Sequence, residues 1–133
     1  MKKYELTDDT ITVGGRILHR IKALKSFSDV EEGDLGGYVE KEDNLDHSGE
    51  AWVSGDAMVS GENDYAAAKG FGREYRTTTF FRLQDGGIGV RCGCFCGTLE
   101  EFREKVKETH KESKMGKEYL MLADLMEYKF KNA

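Results

Sequence analysis

Ala51-Trp52-Val53-Ser54-Gly55-Asp56 is followed at once by Ala57-Met58-Val59-Ser60-Gly61-Glu62, so the pattern Ala-x-Val-Ser-Gly-acid occurs twice in register. Self-similarity at a fixed period is a fold-level signal. The phase continues outward in weaker form. Gly49-Glu50 lies one step before Gly55-Asp56, Leu45 and Val39 precede Ala51, and Tyr65 follows Val59. The register thus spans residues 35 to 65. Within a hexad Ala and Val lie two apart and share one side of a short strand, while Trp52 and Met58 point to the other. The Gly-acid pair turns the chain, because Gly adopts backbone angles that other residues avoid. Short strands joined by tight turns predict a β-solenoid, each coil of about three hexads stacked on the next. The hexads here amount to a stub of roughly two coils, which needs caps or partner subunits to cover its open ends.

The flanks predict those caps. Thr10–Val13 and Arg16–Ile21 alternate apolar with polar around Gly14-Gly15, the pattern of a β-hairpin with a two-residue turn. Beyond the repeats, Thr77–Leu83 is β-branched and aromatic, and Asp85-Gly86-Gly87 turns it. Ile88, Val90, Cys92, Cys94 and Cys96 then alternate with Gly89, Arg91, Gly93, Phe95 and Gly97, the period of one continuous second strand. Thr98 and Glu101 form a capping-box signature ahead of an apolar stripe of Leu99, Phe102 and Val106. A polar linker leads to a last helix over 117–131, with Tyr119, Ala123, Met126 and Phe130 on one face. Leu120, Leu122 and Leu125 widen that face, so the helix is buried on more than one side or forms an oligomer contact. The expected fold is α+β: an N-terminal β-hairpin and a short hexapeptide β-solenoid stub in 1–66, then a β-hairpin packed on two C-terminal helices in 67–133.

The chain has 133 residues, of which 34% are charged, 16 Gly and no Pro. No apolar run approaches the eighteen or more residues of a membrane span. The Met-Lys-Lys start has no hydrophobic stretch behind it, so a cytoplasmic location without disulfides is expected. Charge is segregated. Residues 29–64 hold twelve acids and one Lys, whereas the flanking segments are each net +3. Like charges seldom cluster this densely. The face is either a solvated coat or a surface aimed at a basic partner.

Conventional chemistry finds little support. Cys92, Cys94 and Cys96 suit core packing, a soft-metal site or a reactive thiol; no second cysteine pair stands ready, and His19, His47 and His110 are scattered. His47 in the hexad region brings hexapeptide acyltransferases to mind, but the repeats are too few for their long groove. No Walker loop, G-x-S-x-G or H-E-x-x-H occurs. Basic residues are dispersed among acids, which disfavours direct nucleic-acid binding. Arg73, Arg76, Arg82 and Arg91 could line one side of the C-terminal hairpin for a phosphate-bearing ligand. No catalytic residue, metal or cofactor is expected.

The opening Lys-Lys-Tyr-Glu-Leu-Thr-Asp-Asp-Thr-Ile, the segment Gly33–Leu45, the Ala-Trp-Val-x-Gly-Asp hexad and the Thr-Thr-Phe-Phe-Arg…Cys-Gly-Cys-Phe-Cys-Gly-Thr-Leu-Glu-Glu-Phe stretch resemble phage and prophage hexapeptide-repeat proteins across nearly the whole chain. The resemblance implies a β-helix followed by a small α/β tail; longer members repeat the hexad many times, this chain twice. Resemblance and charge together raise a binding role in a bacterial host cytoplasm. Asp34, Glu40, Glu42, Asp43, Asp46, Glu50, Asp56 and Glu62 would meet a basic, nucleic-acid-handling defence effector such as a CRISPR component, with Tyr38, Trp52 and Met58 as apolar anchors. The alternatives are a self-assembling structural protein, joined through the last helix or the β-stub, and a small-ligand sponge.

Overall fold

The computed structural model describes residues 2–27, 29–47, 50–60, 64–71, 76–92 and 95–131, with the side chain of Arg76 excepted. The described fold is α+β, with two four-stranded sheets and two C-terminal helices.

β1 (Tyr4–Val13) and β2 (Arg16–Ala23) form the expected hairpin, closed at Val13↔Arg16. Gly14 and Gly15 both take positive φ, +56° and +82°, the requirement of a type I′ turn. β1 begins earlier than the alternation suggests, because a register shift between Leu6 and Thr10 interrupts the period. The Thr7 hydroxyl donates to the Arg20 carbonyl at 2.7 Å and so keeps the bulged stretch tied to β2.

β3 (Leu35–Val39) adds to β2 antiparallel, and the two-residue β4 (Met58–Val59) adds to β3 parallel, pairing Tyr38 with Met58 and Val39 with Val59. Between β3 and β4 the described residues make one 3₁₀ turn (Glu42–Asn44) and are otherwise irregular. Gly36 and Gly37 lie hard against this segment. A Cβ on Gly37 would sit 2.5 Å from that of Ala57, and one on Gly36 would sit 2.7 Å from the Val53 carbonyl oxygen.

The second sheet has order β5 (Tyr65–Phe71), β6 (Arg76–Arg82), β7 (Ile88–Cys92), β8 (Phe95–Thr98), antiparallel throughout. Two expectations are corrected here. The C-terminal β-hairpin is half of a larger sheet, since β5 was hidden in an Ala-rich run of low strand propensity. This strand also crosses position 66. The run from Ile88 to Gly97 is two strands, Cys92 pairing back onto Phe95, so its period-two alternation does not mark one face.

α1 (Leu99–His110) carries its reciprocal capping box: Glu101 N–H donates to the Thr98 hydroxyl at 3.2 Å, and Thr98 N–H donates to Glu101 Oε1 at 2.9 Å. α2 (Lys114–Lys131) starts earlier than expected, with Gly116 N–H donating to Ser113 Oγ at 3.2 Å. Leu99, Phe102 and Val106 of α1 pack with Tyr119, Leu122, Ala123, Met126 and Phe130 of α2 in one core. Leu125, read as part of that face, is instead 57% exposed.

The second sheet is the middle layer. Phe80 and Phe81 are neighbours on β6, so they point to opposite faces. Phe80 joins the helix core, and Phe81 joins the N-terminal core around Trp52. Gly89 stands opposite Phe81, whose ring fills the place a Cβ would take. Further ties cross between the halves: Trp52 N–H donates to Thr79 Oγ1 at 3.2 Å, and an isolated bridge links Ala57 with Leu83.

Candidate functional site

The acidic segment after β3 has too few ladder bonds to hold itself, so its backbone must find partners elsewhere. Two N-terminal side chains, Tyr4 and Lys3, supply them, and the segment's own His47 bonds back to the N-terminal backbone. The Tyr4 hydroxyl lies 2.6 Å from the Glu42 carbonyl and 2.7 Å from that of Leu45. Lys3, fully buried, donates its ammonium to the Ala51 carbonyl at 2.6 Å and sits over the Phe27 ring. His47 Nδ1 accepts from Lys3 N–H at 3.0 Å, while its ring stacks on Tyr4 at 4.2 Å between centroids. Leu45 and Trp52 close the inside of this segment in the core.

Burial governs the titration of all three. It lowers the Lys3 ammonium to about 8, a loss that Asp46 opposes and Lys25 deepens. It raises the Tyr4 phenol, helped by Glu42, and it lowers His47 against the opposing pull of Glu42. His47 is thereby bound into the scaffold as an acceptor.

Outside this scaffold lie two adjoining clefts. One, of about 330 Å³, is bordered by Glu42, Asp43, Asp46 and His47; the other, of about 270 Å³, by Asp46, Glu50, Lys69 and Thr77. Asp46 and Tyr65 border both, and the Tyr65 hydroxyl accepts from Asp46 N–H at 3.3 Å. Glu42 pairs with Lys2 at 3.1 Å, whereas Asp43 and Glu50 make no ion pair with a described residue. Glu42, Asp43 and Asp46 thus border one cleft and Asp46 and Glu50 the other, an acidic groove of two adjoining parts.

The other expected site residues are distributed differently. Asp34 accepts from Glu31 N–H at 2.9 Å within its own turn, and Glu40 pairs with Arg16 at 2.9 Å. Asp56 is exposed at the turn after Trp52, away from the groove, and Glu62 lies outside the described residues. Of the expected apolar anchors, Trp52 is 2% exposed, packed against Tyr4 and Phe27, and Tyr38 of β3 is 7% exposed, with the Arg20 guanidinium over its ring. Met58 is half-buried. Tyr65, Lys3 and Tyr4 were missed as parts of the site; their contacts with the groove span 19 to 48 residues and leave no local pattern.

The C-terminal arginines have internal partners. Arg82 donates to Asp64 at 2.9 Å and to the Phe130 carbonyl at 3.1 Å, and Arg91 donates to the Asp29 carbonyl at 3.3 Å. Arg73 and the Arg76 side chain lie outside the described residues. Cys92 accepts from the Thr78 hydroxyl at 3.2 Å on the helix side of the sheet, while Cys96 lies 3.0 Å from Ser54 Oγ on the other. The expectation of one shared cysteine face fails because the chain reverses between Cys92 and Phe95; Cys94 lies outside the described residues. Among the described residues no cluster of His, Cys, Asp and Glu could hold a metal ion, and no helix is long and apolar enough to cross a membrane. Comparison of the chain with protein families, with curated proteins and with solved structures returns no match.

Proposed function

We propose that the protein is a non-enzymatic, phage-type binding protein whose acidic groove docks on a basic host protein and occupies its nucleic-acid site. The observation that carries this reading is the groove of Glu42, Asp43, Asp46 and Glu50, held on a backbone fixed by buried side-chain donors. Carboxylates presented in a fixed row offer a basic channel what a phosphate backbone offers it. A rigid loop also binds with less ordering entropy than a mobile acidic tail. The partner class is a nucleic-acid-handling defence effector, a CRISPR component among them, met in the host cytoplasm.

We further infer that residues 35–60 are one wound turn of a hexapeptide solenoid. The parallel pairing of Val39 with Val59, together with inward Leu45, Ala51, Val53 and Ala57, supports it.

The test is capture from a bacterial lysate at low and high salt, with the natural chain beside a variant carrying Glu42→Lys, Asp43→Lys, Asp46→Lys and Glu50→Lys. The expected result is stoichiometric capture of one nucleic-acid-handling protein at low salt, its release at high salt, and no capture by the variant. Equal capture by the folded variant overturns the reading.

A further inference from the structure

α2 carries a second apolar line that neither the sheet nor α1 covers. Met121, Leu125 and Tyr128 are 69%, 57% and 71% exposed. Their spacing of four and three residues aligns them along one side of the helix, the seam geometry of paired helices. Glu118 and Lys129 flank this line on one side. On the other side Asp124 and Glu127 share one cation, Arg103 of α1, at 2.9 and 2.7 Å, so both carboxylates already have a partner within the chain.

We propose that this line pairs with the same line of a second copy, the two α2 helices running antiparallel about a two-fold axis beside Leu125. The choice of occupant rests on charge complementarity. In an antiparallel pair centred there, Met121 faces Tyr128 of the second copy and Leu125 faces its counterpart. Flanking positions on the same side of antiparallel helices meet, so Glu118 comes within side-chain reach of Lys129 of the second copy, and two-fold symmetry makes that ion pair twice. A parallel pair would set Glu118 at the level of its own copy and Lys129 at the level of its own, without that complement. Three side chains per copy bury less than the roughly 1,200–2,000 Å² of a stable interface, so the dimer is weak and forms with rising concentration. This surface is separate from the acidic groove, and its failure leaves the groove reading untouched.

The test is sedimentation equilibrium of the full chain from about 10 μM to about 1 mM, a range that brackets a small interface. The natural chain is expected to pass from monomer to dimer. Leu125→Lys should weaken dimerisation at least about tenfold with unchanged circular dichroism, because the side chain is exposed. Glu118→Lys should weaken it about threefold, and Glu118→Lys combined with Lys129→Glu should restore it. A monomer throughout the range, or a dimer indifferent to Leu125→Lys, overturns the proposal. A charge-swapped variant no better than Glu118→Lys alone overturns the antiparallel register.

Discussion

The two faces of β6 look onto cores built by opposite rules. On the Phe80 side, most backbone groups satisfy one another in helices and strands, and aromatic packing dominates, with the Thr78–Cys92 contact as a buried polar exception: Phe80 meets Phe102 edge-on at 6.0 Å, and Phe102 meets Tyr119 at 5.6 Å. On the Phe81 side, the long irregular segment between β3 and β4 leaves carbonyls that no ladder reaches. There the interior admits the Lys3 ammonium and the Tyr4 hydroxyl to hold them, while His47 accepts from the Lys3 N–H. The contrast teaches that an irregular backbone can pack against a core provided polar donors are buried with it. It also explains why the acidic groove sits on the second kind of core: regular elements present alternating faces, whereas a pinned loop can present several carboxylates together.

The comparison is broken most directly at Trp52. Trp52→Ala should destabilise the chain by about 3–5 kcal/mol in urea unfolding, because it empties the centre of the polar-plugged core. A loss below about 1 kcal/mol would mean that the core collapses onto the gap and that the donors alone hold the segment. Tyr4→Phe asks the complementary question. It keeps the ring and removes the hydroxyl shared by Glu42 and Leu45, and should cost about 1–3 kcal/mol. Amide exchange should accelerate over residues 42–47 more than in α1 and α2; a uniform change would show that the hydroxyl does not pin the loop.

The smallest effect sharpens the role of Lys3. Its ammonium is lowered by burial from 10.5 to about 8 in the folded chain. Between those values the unfolded chain keeps a proton that the folded chain has released, so stability rises with pH from about 8 towards 10.5. Tyr4 is raised above its ordinary 10.0 and acts in the other sense above that pH, so the gain is clearest between pH 8 and 10. Lys3→Met should remove this rise, leaving the difference between variant and natural chain dependent on pH. Parallel thermal-melting profiles for the two proteins would show that the buried amine does not titrate in the fold.

What could be read in the sequence was local. The Gly14-Gly15 hairpin, the Thr98–Glu101 cap and the Tyr119, Ala123, Met126, Phe130 face of the last helix each follow from neighbours within four residues or so, and each is present. The inward Ala and Val of both hexads were legible for the same reason. Trp52 was misread because alternation reports two sides of a strand but not what covers the second side, which here is Phe27 and Tyr4 from distant segments. β5 was missed because alanine advertises no strand. Of the acids, the density was evident, but which of them border the two clefts depended on Tyr4, Lys3 and Tyr65 reaching across the fold.

Adjacent residues 80 and 81 also decide how the molecule comes apart. One strand owns a large aromatic side chain in each interior, so neither half can lose its packing without loosening the strand that the other half requires. The two cores meet at β6, so a loss of packing on one face is expected to loosen the other. An insertion into β6 between residues 80 and 81 would put one of the two phenylalanines on the wrong face of the sheet.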